Sequence, residues 1–267
     1  MESCPKVIAI TSGKGGVGKS TVAINLSLAL ADMGKKVILF DANLNMAGID
    51  VSLGITPKKT ILDVIEGRCC ISEVLMSGPK GIRIACANTG AEELMSISPL
   101  GYYNIIKSFS DISDELDYLI IDTAPGLDES VTTFVSAAHE ILIILNNEKS
   151  SISNSYAMIK VLNKRHRKYR FKIISNMTSS YEGYDAYLKL MKIADQFLDV
   201  SIEYIGSISY SDFFRANNTN NYAFFNNKKS KEILKEYSEI SLKIDMFPLR
   251  TMPRGNIEFF TEVIVRL

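Results

Sequence analysis

The segment from Gly13 to Ser20 combines glycines, two lysines and a hydroxyl at a spacing suited to phosphate binding. It reads Gly-Lys-Gly-Gly-Val-Gly-Lys-Ser and fits the pattern Gly-x-x-x-x-Gly-Lys-[Ser/Thr]. In this pattern backbone N–H groups surround phosphate oxygens, the final lysine neutralises the terminal phosphates, and the hydroxyl binds Mg²⁺. We therefore predict nucleotide binding by Gly13, Lys14, Gly15, Gly16, Val17, Gly18, Lys19, Ser20 and Thr21.

The residues on either side place this loop between a strand and a helix. The run Lys6–Thr11 before it is short and apolar, which is typical of a buried parallel strand. The run Ser20–Met33 after it carries apolar residues at helical spacing and stops at Gly34. The loop is therefore expected at a helix N-terminus, where the helix dipole and free N–H groups favour anions.

A carboxylate follows an apolar strand-like run in two places. One run leads to Asp122, which is followed by Thr-Ala-Pro-Gly, and another leads to Asp41. A carboxylate at the end of a strand beside phosphates is suited to holding Mg²⁺ or its water shell. Either aspartate alone is more typical of a turn, but the pair together with the loop indicates a nucleotide site.

The composition and the order of elements predict one large α/β domain. The chain has 267 residues, 46% of them hydrophobic, and its 30 basic and 30 acidic side chains give no net field to attract nucleic acid. Strand-like runs alternate with helical segments, which predicts a mostly parallel sheet with helices on both faces. We assign residues 1–250 to this single-domain P-loop fold. The runs after the first are Val37–Phe40, Ile82–Cys86, Tyr118–Asp122, Ile141–Leu145, Phe171–Ser175 and Ile202–Gly206.

The cysteines and the termini bear on location. The four cysteines form no C-x-x-C pair and no His-Cys zinc pattern, so we interpret them as reduced thiols of a cytosolic protein, with Cys69 and Cys70 packed. The first residues contain no apolar signal core, and no stretch reaches the roughly 18 to 20 apolar residues that span a bilayer. We expect a cytoplasmic protein with at most peripheral contact at the inner face of the membrane.

The early lysine of the loop marks a resemblance to a known family. Lys14 to Ser20 resembles the deviant Walker A motif of the MinD/ParA family, which comprises ATP-dependent dimerising switches. The resemblance implies ATP and Mg²⁺ as ligands and a homodimer in the ATP-bound state. It also implies that Lys14 contacts the nucleotide of the partner subunit while Lys19 acts within its own subunit. Asp122 resembles the Walker B aspartate, and Asp41 would support the magnesium ion with Ser20 and Asp122.

The segment after Asp41 departs from the family pattern. The family has Asp-x-Asp-x-Gly-x-x-Asn-x-Asp, whereas this chain has Asn43 at the second aspartate and Gly48 at the asparagine. An amide orients water through its carbonyl oxygen but has no basic site for a proton. We therefore predict ATP binding with weak or absent hydrolysis, the catalytic residues being Lys14, Lys19 and Asn43. If hydrolysis is absent, the protein is a non-hydrolysing ATP-bound scaffold. The alternative is that Asn43 and backbone groups orient water well enough for ordinary turnover.

Further motifs resemble the FlhG branch of this family, whose members regulate flagellar number. They include Thr60–Gly67, Gly81–Gly90, Tyr156–Leu162 and Tyr204–Asp212. By resemblance Asn176 reads the adenine edge, and the loop with Ser209 and Asp212 packs beside the base. Flagellar regulatory or basal-body proteins would be the partners. The glutamine-containing motif that engages an SRP-type GTPase is not visible in the first six residues, so that partnership is doubtful.

The C-terminal residues 255–267 have the pattern of an amphipathic helix. At helical spacing the apolar residues lie on one face, and Glu258, Glu262 and Arg266 lie on the opposite face. The tail is therefore a candidate reversible membrane anchor, and the alternative is a helix docked on the protein itself or on a dimer partner. The candidate anchor residues are Ile257, Phe259, Phe260, Val263, Ile264 and Leu267.

A basic cluster supports a second function. It lies at the end of a predicted helix and the start of a strand, and related partition ATPases bind DNA through basic patches. A solvated face that caps the helix is the simpler interpretation. Its residues are Lys160, Lys164, Arg165, Arg167, Lys168, Arg170 and Lys172.

Overall fold

An eight-stranded sheet forms the centre of the computed structural model. The structure describes residues 4–44, 48–87, 97–211, 231–249, 252 and 257–266. The strand order is β3-β4-β2-β5-β1-β6-β7-β8, and every pairing is parallel except that of β3 with β4. The strands are β1 Lys6–Thr11, β2 Val37–Ala42, β3 Met76–Ser77, β4 Arg83–Ala85, β5 Tyr118–Thr123, β6 Glu140–Leu145, β7 Arg170–Asn176 and β8 Ser201–Ile208.

Helices cover both faces of the sheet, as the alternation of elements predicts. The first face carries α1 Lys19–Asp32, α2 Ile49–Leu53 and α9 Lys231–Asp245. The second face carries α3 Ile61–Ile65, α4 Ile71–Val74, α5 Pro99–Ser108, α6 Glu129–Ala137, α7 Lys149–His166, α8 Ser180–Phe197 and α10 Thr261–Arg266. Short 3₁₀ segments cover Pro79–Gly81 and Phe109–Glu115.

The central strands are apolar except near their ends because both of their faces are buried. In β1, Val7 and Ala9 pack into the core on the second face, while Ile8 and Ile10 pack into the core on the first. Alternate residues of a strand point to opposite faces, so a strand buried on both sides is apolar along most of its length. All six residues of β1, β2 and β5 are buried.

The register of the central strands brings the predicted site residues together. Asp41 of β2 lies beside Asp122 of β5, and Asp122 lies beside Ile10 near the end of β1. The phosphate loop begins at Gly13, two residues after β1 ends at Thr11. The two aspartates and the loop therefore meet at the carboxyl edge of the sheet, where ligands bind in open parallel α/β sheets.

The C-terminal tail docks on the second face of the same chain. Phe259, Phe260 and Ile264 are buried in the core there, and the ring of Phe259 packs edge-on against Phe109 at 5.7 Å between centroids. The Phe259 N–H donates to the Ala137 carbonyl at 3.2 Å. Among the described tail residues, this is the docked arrangement that the sequence left as the alternative to a membrane anchor.

The tail is less helical than its amphipathic pattern predicts. The helix begins at Thr261, because Phe260 adopts a left-handed conformation with φ of 57° that a right-handed helix cannot include. Ile257 is half exposed and Glu258 is buried, the reverse of their predicted positions. Residues 255, 256 and 267 and the side chain of Val263 lie outside the described part.

Other sequence expectations differ from the structure in smaller ways. The short antiparallel β3 was not predicted, because two residues carry too little pattern to identify a strand. Cys70 is exposed rather than packed, since it begins α4 and bonds Glu73. The Asn-rich run 217–229 lies outside the described residues. No helix in the described ranges is long and apolar enough to cross a membrane.

Candidate nucleotide-binding site

The phosphate loop has the backbone conformation that its glycines permit. Gly16 and Gly18 have φ of 79° and 81°, and Gly18 is the residue that precedes α1. L-residues with side chains rarely adopt this left-handed region, so glycine is favoured at both positions. Gly13 is needed for space instead, because a Cβ there would lie 2.4 Å from the backbone of Asn154 on α7.

Lys19 lies at the start of α1 and pairs with Asp122. The lysine ammonium contacts the Asp122 carboxylate directly, and the two side chains are 7% and 1% exposed. A buried ion pair is costly to form and even costlier to leave half made. The lysine is therefore held beside the strand-end carboxylate, at the place where the motif predicts the terminal phosphates.

Asp41 is held by the backbone of the segment that follows it. Its carboxylate accepts N–H bonds from Asn43 at 3.1 Å, Gly48 at 3.0 Å and Ile49 at 3.1 Å. Burial and the neighbouring negative charge of Asp122 nevertheless raise the pKa of Asp41 to about 7. Burial is the larger of the two causes, and the repulsion from Asp122 adds to it.

The residues at this edge fit a hard divalent cation. Mg²⁺ prefers carboxylate and hydroxyl oxygens and keeps several waters, and the neighbouring aspartates Asp41 and Asp122 supply negative charge at this edge. Ser20, which follows Lys19 in α1 and is partly exposed, would supply a hydroxyl. A bound cation would offset both causes of the raised Asp41 pKa, its burial and the repulsion from Asp122. When bound beside phosphates it would neutralise phosphate charge, and Lys19 would exchange Asp122 for a phosphate oxygen.

Lys14, the second lysine of the loop, is held by a different carboxylate. Its ammonium contacts Glu148 and lies 3.0 Å from the Ser150 hydroxyl, at the start of α7. The side chains of Lys14 and Glu148 are 34% and 55% exposed. The Lys14 bond lowers the Glu148 pKa. In contrast to Lys19, Lys14 is in a solvent-accessible pair, which is weak and easily exchanged.

The remaining predicted contacts are distributed around the loop. Asn176 ends β7 and is buried, and its side chain donates to the Val17 carbonyl at 2.8 Å. Ser209 follows β8, and its N–H and hydroxyl bond the Glu236 carboxylate at 2.8 Å and 2.6 Å. Asp212 lies outside the described residues. Ser20, Thr21 and Asn43 are partly exposed at the same edge.

Three residues around the site were not predicted from the sequence. Glu148 binds Lys14, the Asn154 backbone packs on Gly13, and Glu236 on α9 binds Ser209. Glu148 had a usable signal, because it follows β6, a strand adjacent to β1. The other two contacts join segments that are distant in sequence, and no local pattern indicates them.

The basic cluster does not form one continuous surface. Lys168 and Lys172 are buried, and Lys172 pairs with Glu140 at 2.5 Å and lies 4.3 Å from the centre of the Phe247 ring. The cluster residues that remain exposed are Lys160, Lys164, Arg165, Arg167 and Arg170.

The chain is similar to known proteins over nearly its whole length. A sequence family described as "AAA domain" matches residues 5–174. The antiactivator FleN of Pseudomonas aeruginosa is 45% identical over 98% of this chain and 94% of its own length. The flagellum site-determining protein YlxH of Helicobacter pylori is 31% identical over 79% of this chain and 71% of its own.

Solved structures show the same fold. The MinC:MinD cell division protein complex of Aquifex aeolicus contains a chain with a TM-score of 0.71 and 26% identity, matched over 91% of this chain and 98% of that one. The phosphate loop, the paired strand-end aspartates and these similarities agree. The chain belongs to the MinD/ParA family of P-loop ATPases.

Proposed function

We propose that this protein is an ATP-binding switch that regulates flagellar number or placement. The observation that carries the proposal is the loop geometry at the carboxyl edge, where Gly16 and Gly18 allow phosphate binding and Lys19 lies beside Asp122. The flagellar role is supported by the names of the relatives, an antiactivator and a flagellum site-determining protein. The partners would be flagellar regulatory or basal-body proteins.

The switch consists of ATP-dependent dimerisation in which Lys14 changes partners. Lys14 leaves Glu148 and Ser150 and binds the nucleotide of the second subunit. Because the Lys14–Glu148 pair is solvent-accessible, its loss costs little, and a charge-assisted contact with a triphosphate would compensate for it. The weak pair thus keeps the lysine in place without preventing its release.

Mass measurement in solution tests this switch. The wild-type protein is expected to be monomeric with ADP or without nucleotide and dimeric with Mg-ATP. Lys14→Ala should still bind ATP through Lys19 but remain monomeric. A Lys14→Ala protein that dimerises as the wild type does would contradict the role of Lys14 between subunits.

Asn43 sets the hydrolysis rate in this proposal. Asn43 follows the Asp41 strand end and has no basic site for a proton. Asn43→Asp is expected to raise kcat by about 10²-fold, the lower range for a general base, with little change in ATP affinity. Turnover that is already typical of ATPases in the wild type and unchanged in Asn43→Ala would show that Asn43 plays no part.

Membrane contact requires the tail to leave its docked position. Phe259 and Phe260 are buried in the chain's own core, so they contact lipid only after release. We propose that release accompanies the ATP-bound dimer, in which two tails bind one surface with added avidity. Sedimentation with anionic vesicles should therefore need Mg-ATP and residues 256–267. Equal sedimentation without these residues would reject the tail as the anchor.

DNA binding is the second candidate because five basic side chains remain exposed around the end of α7. ATP-dependent DNA binding that weakens steeply with salt would favour it over membrane contact. Its residues are Lys160, Lys164, Arg165, Arg167 and Arg170.

A further inference from the structure

Asn176 bonds the phosphate loop through the side-chain amide that was expected to face a base. Its Nδ2 group donates to the Val17 carbonyl at 2.8 Å, and Asn176 and Val17 are 5% and 1% exposed. The two residues are 159 positions apart in the chain. A buried bond of this kind holds the end of β7 and the loop in one fixed relation.

The bond acts on the Val17–Gly18 peptide group, the last one before the peptide that links Gly18 to the first residue of α1. In a planar trans peptide the C=O and N–H groups point in opposite directions. Because Asn176 holds the Val17 carbonyl, the Gly18 N–H must point away from Asn176. Gly18 immediately precedes α1, and its left-handed conformation begins the turn in which the free N–H groups of the helix are presented.

The packing around Gly18 leaves little freedom for this peptide group. A Cβ on Gly18 would lie 2.3 Å from Asn176 Nδ2 and 3.0 Å from the Met177 methyl carbon. Met177 itself has a φ of 58°, an uncommon conformation for a residue with a side chain, and this turn aims it at the loop. Neighbouring side chains from the end of β7 thus contact the loop at the same residue.

We propose that Asn176 is a positioning residue for the phosphate loop. Its amide holds the Val17 carbonyl so that the loop N–H groups are oriented for phosphate before any nucleotide binds. The loss of this bond therefore weakens binding of every nucleoside triphosphate, whatever its base. The proposal rests on the proposed nucleotide-binding function and assigns to Asn176 a role that base recognition does not require.

The affinities for two bases distinguish the positioning role from base reading. Dissociation constants for Mg-ATP and Mg-GTP are measured by calorimetry in the wild type, Asn176→Ala and Asn176→Asp. Loss of one buried hydrogen bond predicts about tenfold weaker binding of both nucleotides with an unchanged ratio. Asn176→Asp should lose at least as much, because a carboxylate would face the Val17 carbonyl. If the ratio of ATP affinity to GTP affinity falls toward one while GTP affinity is unchanged, the proposal is overturned.

A matched control is available at the far end of α7. Asn163 is also buried, and its Nδ2 donates to the Lys168 carbonyl at 3.1 Å. Asn163→Ala removes the same kind of bond and should lower the free energy of unfolding by a similar amount. It should leave both nucleotide affinities unchanged. Equal loss of affinity in the two variants would assign the effect to general stability and overturn the proposal.

Hydrogen exchange without nucleotide tests the positioning role independently. Amide exchange in residues 13–20 should be faster in Asn176→Ala and Asn176→Asp than in the wild type and in Asn163→Ala. Unchanged exchange in this segment would overturn the proposal. If the wild type binds neither nucleotide, the proposed function fails, while the exchange result still decides whether Asn176 holds the loop.

Discussion

The carboxyl edge of the sheet and the face that binds the tail are stabilised in opposite ways. At the carboxyl edge, Lys19, Asp41 and Asp122 are buried charges. On the tail-binding face, defined by Phe109, Ala137 and His139, the buried groups are mainly aromatic and aliphatic. Apolar burial stabilises a fold directly, whereas a buried ion pair contributes little net stability. The charges at the first edge therefore indicate function, and the second face indicates structure.

The polar contacts of the two regions also differ, because those on the tail-binding face involve backbone groups and those at the carboxyl edge involve charged side chains. On the tail-binding face the His139 ring joins two backbone groups, accepting from the Val7 N–H at 3.3 Å and lying 3.3 Å from the Phe259 carbonyl. Because Nδ1 is the acceptor, the proton belongs on Nε2, which donates to Phe259. At the carboxyl edge, by contrast, charged side chains bond each other, as Lys19 bonds Asp122. The polar contacts of His139 thus involve backbone groups, whereas those of the carboxyl edge include pairs of charged side chains.

Removal of a buried tail side chain should have the largest effect on stability. Phe259→Ala removes a fully buried ring and should lower the free energy of unfolding by about 3–5 kcal/mol. The control Ile257→Ala, at a side chain that is 49% exposed, should change it by about 0.5 kcal/mol or less. Urea denaturation measures both. Equal effects would mean that the tail is not docked in solution.

Replacement of Lys19 should have the next largest effect on stability, and replacement of Lys14 should have a much smaller one. Lys19→Met leaves Asp122 buried and unpaired and should destabilise the nucleotide-free protein by about 3 kcal/mol. Lys14→Met removes only a solvent-accessible pair and should destabilise the protein far less than Lys19→Met does. Denaturation without nucleotide tests the difference. Similar values would contradict the contrast between a buried and an exposed lysine.

The raised pKa of Asp41 predicts a pH-dependent loss of stability. A carboxyl with a folded-state pKa of about 7 and an unfolded value of 3.8 binds protons more tightly when folded, so stability falls as pH rises between these values. From pH 5 to pH 8 this contribution is about 2–3 kcal/mol. The difference between Asp41→Asn and the wild type, measured without Mg²⁺, isolates it. A difference that is independent of pH would contradict the raised pKa of Asp41, and with it the effect of burial and of the neighbouring Asp122.

Disturbing the contact between the phosphate loop and α7 should have the smallest effect on stability. Gly13→Ala places a Cβ against the Asn154 backbone and should destabilise the protein by about 1–2 kcal/mol. Among the described residues a Cβ on Gly15 would have only Pro125 near it, at 3.9 Å, so Gly15→Ala should change thermal stability little. If the two variants have the same melting temperature, the close contact of the loop with α7 is absent in solution.

Much of the fold was predictable because its signals are local. Each central strand is a continuous apolar run, and the observed strands agree with the predicted runs to within a few residues. The tail was harder to predict, because periodicity does not indicate whether an apolar face meets lipid or the chain's own core. The left-handed Phe260, which shortens its helix, also has no sequence signal.

By itself the sequence determined the phosphate loop, the two strand-end carboxylates and the α/β class, since each depends on neighbouring residues and their spacing. The tertiary structure alone decided that Asn176 bonds Val17, that Glu148 holds Lys14, and that Phe259 packs on Phe109. These contacts join residues more than a hundred positions apart. Such contacts depend on which helices and strands become neighbours, and this follows from the packing of the whole chain.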